Sequence, residues 1–149
     1  MIVTARKLAN ASRLRPCQSE LRRAVSTAYY ALFLSLAKDS ADLLVGAGRD
    51  RPEKAWSQVH RSLQHGDAKS ACHQARNLGF PHEIKICCAI FIELQEMRHR
   101  ADYDPDYRLS RAVALQAVDM AERAIRSLRA APRLDRKAFA VLLLFKRRS

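Results

Sequence analysis

The sequence predicts an all-α fold, a single helical bundle of about five to six helices spanning residues 1–149. Three observations carry this. Apolar residues make up 48% of the chain while only 4 Gly and 5 Pro are present, too few turn-formers for an all-β fold. Apolar positions recur at spacings of three and four through most of the length. No segment shows strand-type alternation of useful length, and there is no internal repeat.

Each element follows from local signals. Residues 2–15 form a short helix with Ile2, Leu8 and Leu14 loosely in phase, ending before Pro16. Residues 17–45 carry the strongest pattern: Leu21, Val25, Ala28, Tyr29, Leu32, Leu36 and Leu43 trace one face, and Tyr30, Phe33, Leu34, Ala37, Ala41 and Leu44 another. A helix apolar on more than one face is central and covered by several neighbours. Gly46 and Gly48 stop it. Pro52 suits the first turn of a helix to about His65, with Asp50 as its cap. Gly66-Asp67 breaks the chain, and residues 67–78 continue as a short helix until Gly79-Phe80-Pro81. Residues 82–103 form one helix with Ile84, Cys88, Phe91 and Leu94 inward, stopped by Pro105. Ser110 caps the next, in which Val113, Ala117, Met120, Ala121, Ala124 and Leu128 align. Pro132 opens a basic and apolar C-terminal helix, 133–147, within the segment 132–149.

The net charge of +12 is unevenly placed. Residues 1–23 hold six basic side chains against Glu20, residues 24–122 hold twelve against thirteen acidic, and residues 123–149 hold nine against Asp135. The excess therefore lies at the two ends, which suits a phosphate-bearing or acidic partner; solvated Arg-rich termini are the alternative. No apolar run reaches the ~18 residues of a membrane span, and no N-terminal apolar stretch marks a secretion signal, so a membrane location is not expected. Cys17, Cys72, Cys87 and Cys88 lack a spaced framework and read as reduced thiols, with the cytoplasm as the default compartment.

The most informative segment is Arg98-His99-Arg100-Ala101-Asp102-Tyr103-Asp104-Pro105. Stepping by fours from Leu94 reaches Arg98 and then Asp102, so two charged residues stand where the apolar stripe should continue. A guanidinium at a core rim needs a partner, and Asp102 lies one turn away. One outcome is an ion pair that locks the helix end, with Tyr103 packed sideways. The other is a polar pocket in which Arg98 binds a phosphate or carboxylate while Asp102 orients it.

Arg23-Ala24-Val25-Ser26-Thr27-Ala28-Tyr29-Tyr30-Ala31, followed by Arg98-x-x-Ala-Asp-Tyr, resembles the HEPN superfamily, and within it a subgroup of short prokaryotic proteins. The resemblance covers roughly residues 3–130. It implies a HEPN-like helical domain, often a homodimer, that works beside a minimal nucleotidyltransferase in a toxin–antitoxin or defence-type pair. Several branches are RNases in which an Arg, followed four to six residues on by a His, acts on the scissile phosphate while the His acts on the 2′-hydroxyl. This sequence departs from that pattern, because no His lies within six residues downstream of Arg98. His99 points about 100° away on the helix, and Arg76 to His82 matches the spacing only across Gly79 and Pro81, which break the helix.

Other constellations carry less. His60, His65, His73 and His82 with Cys72 show no metal-ligand spacing, and no metal is expected. Gly46-x-Gly48 lacks the strand and third glycine of a dinucleotide loop, so no cofactor is expected. His60 and Tyr29 lie on core-directed positions that suggest the Arg98 pocket. Arg126, Arg129, Arg133 and Lys137 recur as a basic ridge for backbone phosphates if the bend at Pro132 is mild, and removing residues 133–149 should flatten the salt dependence of binding. Most aromatics fall in apolar stripes, which argues against a base-stacking surface. The Ala138–Phe145 run packs into its own bundle, against a second subunit, or on an anionic membrane.

Taken together, these features describe a HEPN-like protein that binds RNA or a nucleotide through Arg98, His99, Arg100, Tyr29, His60, Arg126, Arg129 and Arg133, non-catalytic or weakly catalytic. Its rivals are a metal-independent RNase acting through Arg98 with Asp102 or Tyr103, and a purely structural or protein-interaction module.

Overall fold

The computed structural model describes residues 1–11 and 15–146. Seven helices occur among them and no strand: α1 (Ile2–Ala9), α2 (Gln18–Leu44), α3 (Glu53–Ser62), α4 (His65–Ala75), α5 (His82–Tyr103), α6 (Arg111–Ala130) and α7 (Arg133–Leu144). The long α2 is the axis, as its two apolar faces require; it packs against α1, α3, α5, α6 and α7. Leu21, Val25, Tyr29, Leu32 and Leu36 of α2 are fully buried with Ile84, Phe91 and Leu94 of α5, Val118 and Leu128 of α6, and Phe139 of α7. Small residues line the α6 side of this core: Ala114, Ala117, Ala121 and Ala124 have no exposed surface, which lets α6 approach α2 closely.

Several boundaries differ from the sequence expectation, each for a local reason. The Asn10 amide donates to the Arg6 carbonyl at 3.2 Å and ends α1 early; residues 12–14 of the expected 2–15 helix lie outside the described residues. Asp50 does not cap α3, which starts at Glu53 behind an extended Pro52 with no side-chain cap. The break between α3 and α4 falls at Leu63 and Gln64, both extended, because Leu63 is drawn into the core at 5% exposure. Gly66 therefore sits inside the first turn of α4 and does not interrupt it. Gly79 adopts φ +67, the left-handed conformation that turns the chain from α4 into α5. The helix α7 ends at Leu144, short of the expected 147, which itself lies outside the described residues.

Two features of α2 position the end of α5. The Arg22 guanidinium donates to the carbonyls of Ala101 and Asp104, both at 2.8 Å, to Pro105 at 3.3 Å and also to Tyr107. It thus supplies donors to a helix terminus whose last carbonyls have no partner within the helix. Gln18 pairs with both backbone groups of Leu109, at 2.8 and 3.0 Å. The α5–α6 loop is thereby tied to the first turns of α2, and Ser110 caps α6 by accepting from the Val113 N–H at 3.1 Å, as expected.

Candidate functional site

The continuous α5 carries Arg98 and Asp102 one turn apart with their side chains in contact. Arg98 is half-buried in line with Ile84, Cys88, Phe91 and Leu94, and Asp102 stands at the exposed edge of that stripe, where Ala101 takes the buried place. Arg98 Nε lies 2.8 Å from Asp102 Oδ2, with the two side chains 18% and 27% exposed. The Nε–H is not directed along that line and has no hydrogen-bond partner, so the contact is an ion pair rather than a linear bond. The other carboxylate oxygen, Oδ1, accepts from Ser26 Oγ at 2.5 Å. Arg98 Nη2 donates to the Tyr30 hydroxyl at 3.0 Å, whereas Nη1 has no hydrogen-bond partner among the described residues. The guanidinium carbon stands 5.7, 5.3 and 5.9 Å from the ring centres of Tyr29, Tyr30 and Tyr103, within cation–π range of all three.

Behind this cation lies a second polar pair. The Tyr29 hydroxyl meets His65 Nδ1 at 2.6 Å, and the imidazole stacks on Phe33 with 4.0 Å between ring centres. Gln95 Nε2 donates to the His65 carbonyl at 3.0 Å, while Gln95 Oε1 is buried without a partner. Burial pushes the Tyr29 phenol up to about 12, only partly offset by the charge of Arg98. Burial, and then the charge of Arg98, hold His65 below its ordinary value. At neutral pH both groups are uncharged, which leaves the phenol to donate to an unprotonated Nδ1.

The remaining α5 candidates face outward. His99 lies 4.9 Å from the Tyr103 ring, and Tyr103 is 65% exposed. Arg100 covers Tyr107 with its guanidinium 4.0 Å from the ring centre. Tyr103 is an exception to the expectation that most aromatics fall in apolar stripes: it stands as an exposed ring beside Arg98, while Ala101 is the residue buried at that level of α5.

Of the remote candidates, Tyr29 joins the Arg98 cluster and His60 does not. His60 stacks on Trp56 at 4.9 Å and lines a groove between α1, α2 and α6; the imidazole beside Tyr29 belongs to His65. The sequence places His65 at the end of the helix before Gly66-Asp67, and only the actual break at Leu63 and Gln64 brings it to Tyr29. Ser26 and Tyr30 lie in the segment that carries the resemblance, but the bonds each makes to the α5 end have no sequence signal. The continuous basic ridge is also corrected. Ala131 and Pro132 are both extended, so α7 turns away from α6 to pack on α2 and α4. Arg126 and Arg129 stay on the α6 groove, while Arg133 and Lys137 are exposed on α7.

The apolar run of α7 packs into its own bundle through Phe139, Ala140 and Leu143 while Leu134, Val141 and Phe145 remain exposed. Arg136 adds an ion pair to Asp39 of α2 at 2.6 Å. Arg76 and His82 lie at the end of α4 and the start of α5, separated by the left-handed Gly79, and share no helix. Cys72, Cys87 and Cys88 are buried, Cys17 is exposed, and all four are free thiols. No group of three or more His, Cys, Asp or Glu that could hold a metal occurs among the described residues, and none of their helices is long and apolar enough to cross a membrane. No known protein family, curated protein or solved structure matches the chain.

Proposed function

We propose that the chain is a HEPN-like RNA- or nucleotide-binding protein, non-catalytic or weakly catalytic, acting in the cytoplasm as a homodimer within a toxin–antitoxin or defence-type pair with a nucleotidyltransferase. The family and partner rest on the resemblance of the Arg23–Ala31 and Arg98–Tyr103 segments, and the compartment on the free thiols of Cys17, Cys72, Cys87 and Cys88. The single observation that supports binding is the state of Arg98. Its guanidinium is fixed by Asp102 and Tyr30, and Nη1 is still uncommitted beside the exposed rings of Tyr103 and His99. A phosphate oxygen accepting from Nη1 and a base laid on Tyr103 combine the two contacts that single-stranded nucleic acid offers. Asp102 limits this affinity, because it already neutralises the cation.

Catalysis needs a base near neutral pKa within reach of a 2′-hydroxyl. Tyr29, at about 12, does not supply one. His65 is the specific reason to keep an RNase reading as the alternative. Its lowered pKa makes it a neutral imidazole in the Arg98 cluster, but Nδ1 is held by Tyr29 and one face is covered by Phe33. A cleavage assay on mixed RNA with metal chelated, using wild type, Arg98→Ala, Tyr103→Phe and His65→Asn, separates the readings. The expected result is feeble or no cleavage, while RNA binding measured in parallel is weakened by Arg98→Ala and by a further variant, Tyr103→Ala. Robust cleavage abolished by Arg98→Ala, Tyr103→Phe or His65→Asn in a folded variant overturns the binding-only reading.

A further inference from the structure

Away from the Arg98 cluster, α1, α2 and α6 enclose a groove of about 610 Å³, the size range of small-molecule sites. Its floor is aliphatic: Ala31 and Leu34 of α2, Ile125 of α6, and Ile2 and Val3 of α1. Leu34 is 38% and Val3 66% exposed, although the α2 pattern places Leu34 on an apolar face that should be covered. The groove is also polarised along its length. At one end Lys38 and Arg129 line both the groove and a small adjoining cavity that also takes in Asp39 and Asp42, whose charges are met by Arg136 and Lys38 respectively. At the other end Ile2, Val3 and Glu122 continue into a second recess against α1. Ala31 to Lys38 and Glu122 to Arg129 each span seven residue steps, roughly 10 Å of helix.

The charges at the two ends are not equivalent. Glu122 is held by Arg6 at 2.9 Å, and Lys38 is shared with Asp42 at 2.7 Å. Arg126 and Arg129, three residues apart on the exposed edge of α6, have neither an ion pair nor a hydrogen-bond partner among the described residues. Two guanidiniums without a partner among the described residues therefore stand over an aliphatic floor that none of the described residues covers. The one ring in the lining, His60, already has one face on Trp56, so the lining is aliphatic and cationic rather than a stacking platform.

We infer that this groove binds an anionic amphiphile, a molecule with one carboxylate or phosphate head on an aliphatic tail. The head lies between Arg129, Arg126 and Lys38, where charge-assisted bonds are available, and the tail runs over Leu34 and Ile125 toward Val3, removing their exposed apolar surface from water. A second copy of the chain is a poorer occupant, because its net charge of +12 sets it against the groove's own guanidiniums.

Isothermal titration of the full-length protein with decanoate, decyl phosphate and decanol below their micelle concentrations tests this, with the emission of Trp56 as a second signal beside His60. The expected result is one saturable site for an anionic probe, decanol weaker by about tenfold or more, and a similar loss in Arg129→Ala. Leu34→Glu should abolish binding, and Arg98→Ala should leave it unchanged, which separates this site from the proposed nucleic-acid site. Preference for decanoate or decyl phosphate identifies the head. Equal binding of decanol, indifference to Arg129→Ala with circular dichroism intact, tighter binding of adenosine monophosphate than of either anion, or no binding of any amphiphile overturns the inference.

Discussion

The two cationic regions of this molecule differ in how their charge is used. At the end of α5, Arg98 is enclosed by an acid, a phenol hydroxyl and three aromatic rings, and keeps one free terminal nitrogen. On the α6 groove, Arg126 and Arg129 stand over aliphatic side chains with no anion of their own. The first arrangement fixes geometry at the cost of affinity, because a ligand must compete with Asp102. The second keeps full charge but little orientation. A basic sequence thus contains both a pre-positioned guanidinium and uncommitted ones, and net charge alone does not distinguish them.

The largest expected effect concerns the C-terminal basic end. Residues 133–149 are not a removable tail, because Phe139 and Leu143 fill the core and Arg136 pairs with Asp39. Deleting them should unfold the protein, and Phe139→Ala alone should cost ~3–5 kcal/mol in a urea titration. The salt dependence of RNA binding is better probed by Arg133→Ala with Lys137→Ala on the exposed side of α7. Unchanged stability after deletion would mean that α7 is not part of the bundle.

Next in size is Arg22→Ala, which removes the donors from four carbonyls at the α5 terminus and should cost ~1–3 kcal/mol. It should also weaken RNA binding, since the turn that follows Tyr103 loses its tie to α2 and the Ser26–Asp102 bond must hold the α5 end. A stability loss with RNA affinity intact would show that the α5 end keeps its geometry without this clamp.

How much of this was legible in the sequence depends on the range of the interaction. The phase of α5 placed Arg98 and Asp102 together because both lie on one helix, one turn apart. The Ser110 cap was legible for the same reason. The Arg22 clamp, the Ser26–Asp102 bond and the Tyr29–His65 pair join residues 36 to 85 positions apart, and no local pattern encodes them. The basic ridge failed because two extended residues at Ala131 and Pro132 redirect the chain, an angle that spacing does not report. The periodicity predicts a covered Leu34, yet it is 38% exposed, because periodicity identifies an apolar face without showing whether anything covers it.

A smaller effect separates the polar pair behind Arg98 from the surface groove. His65 has a lowered pKa when folded, so the unfolded chain binds more protons and stability rises with pH through that window. Its contribution is fully present above the ordinary 6.5 and is lost as pH falls through the lowered value. Tyr29 acts in the opposite direction: its contribution is complete below 10.0 and is lost as pH rises toward about 12. Urea midpoints across pH should fall on both sides, with Tyr29→Phe removing the alkaline loss that sets in above 10.0 and leaving the share that the buried thiols of Cys72 and Cys87 contribute. A Tyr29→Phe variant whose midpoint falls as steeply as wild type between 10.0 and about 12 would contradict the buried phenol.

The most direct test of the account is the affinity of Asp102→Asn for a short single-stranded RNA, read by fluorescence anisotropy at fixed salt beside wild type and Arg98→Ala. If Arg98 is a phosphate-binding cation restrained by its neighbour, neutralising Asp102 should tighten RNA binding by about tenfold, while Arg98→Ala loosens it by a similar factor. An Asp102→Asn variant that loses stability without gaining affinity, together with an Arg98→Ala variant that binds RNA like wild type, would make the Arg98–Asp102 pair a structural lock and contradict the account.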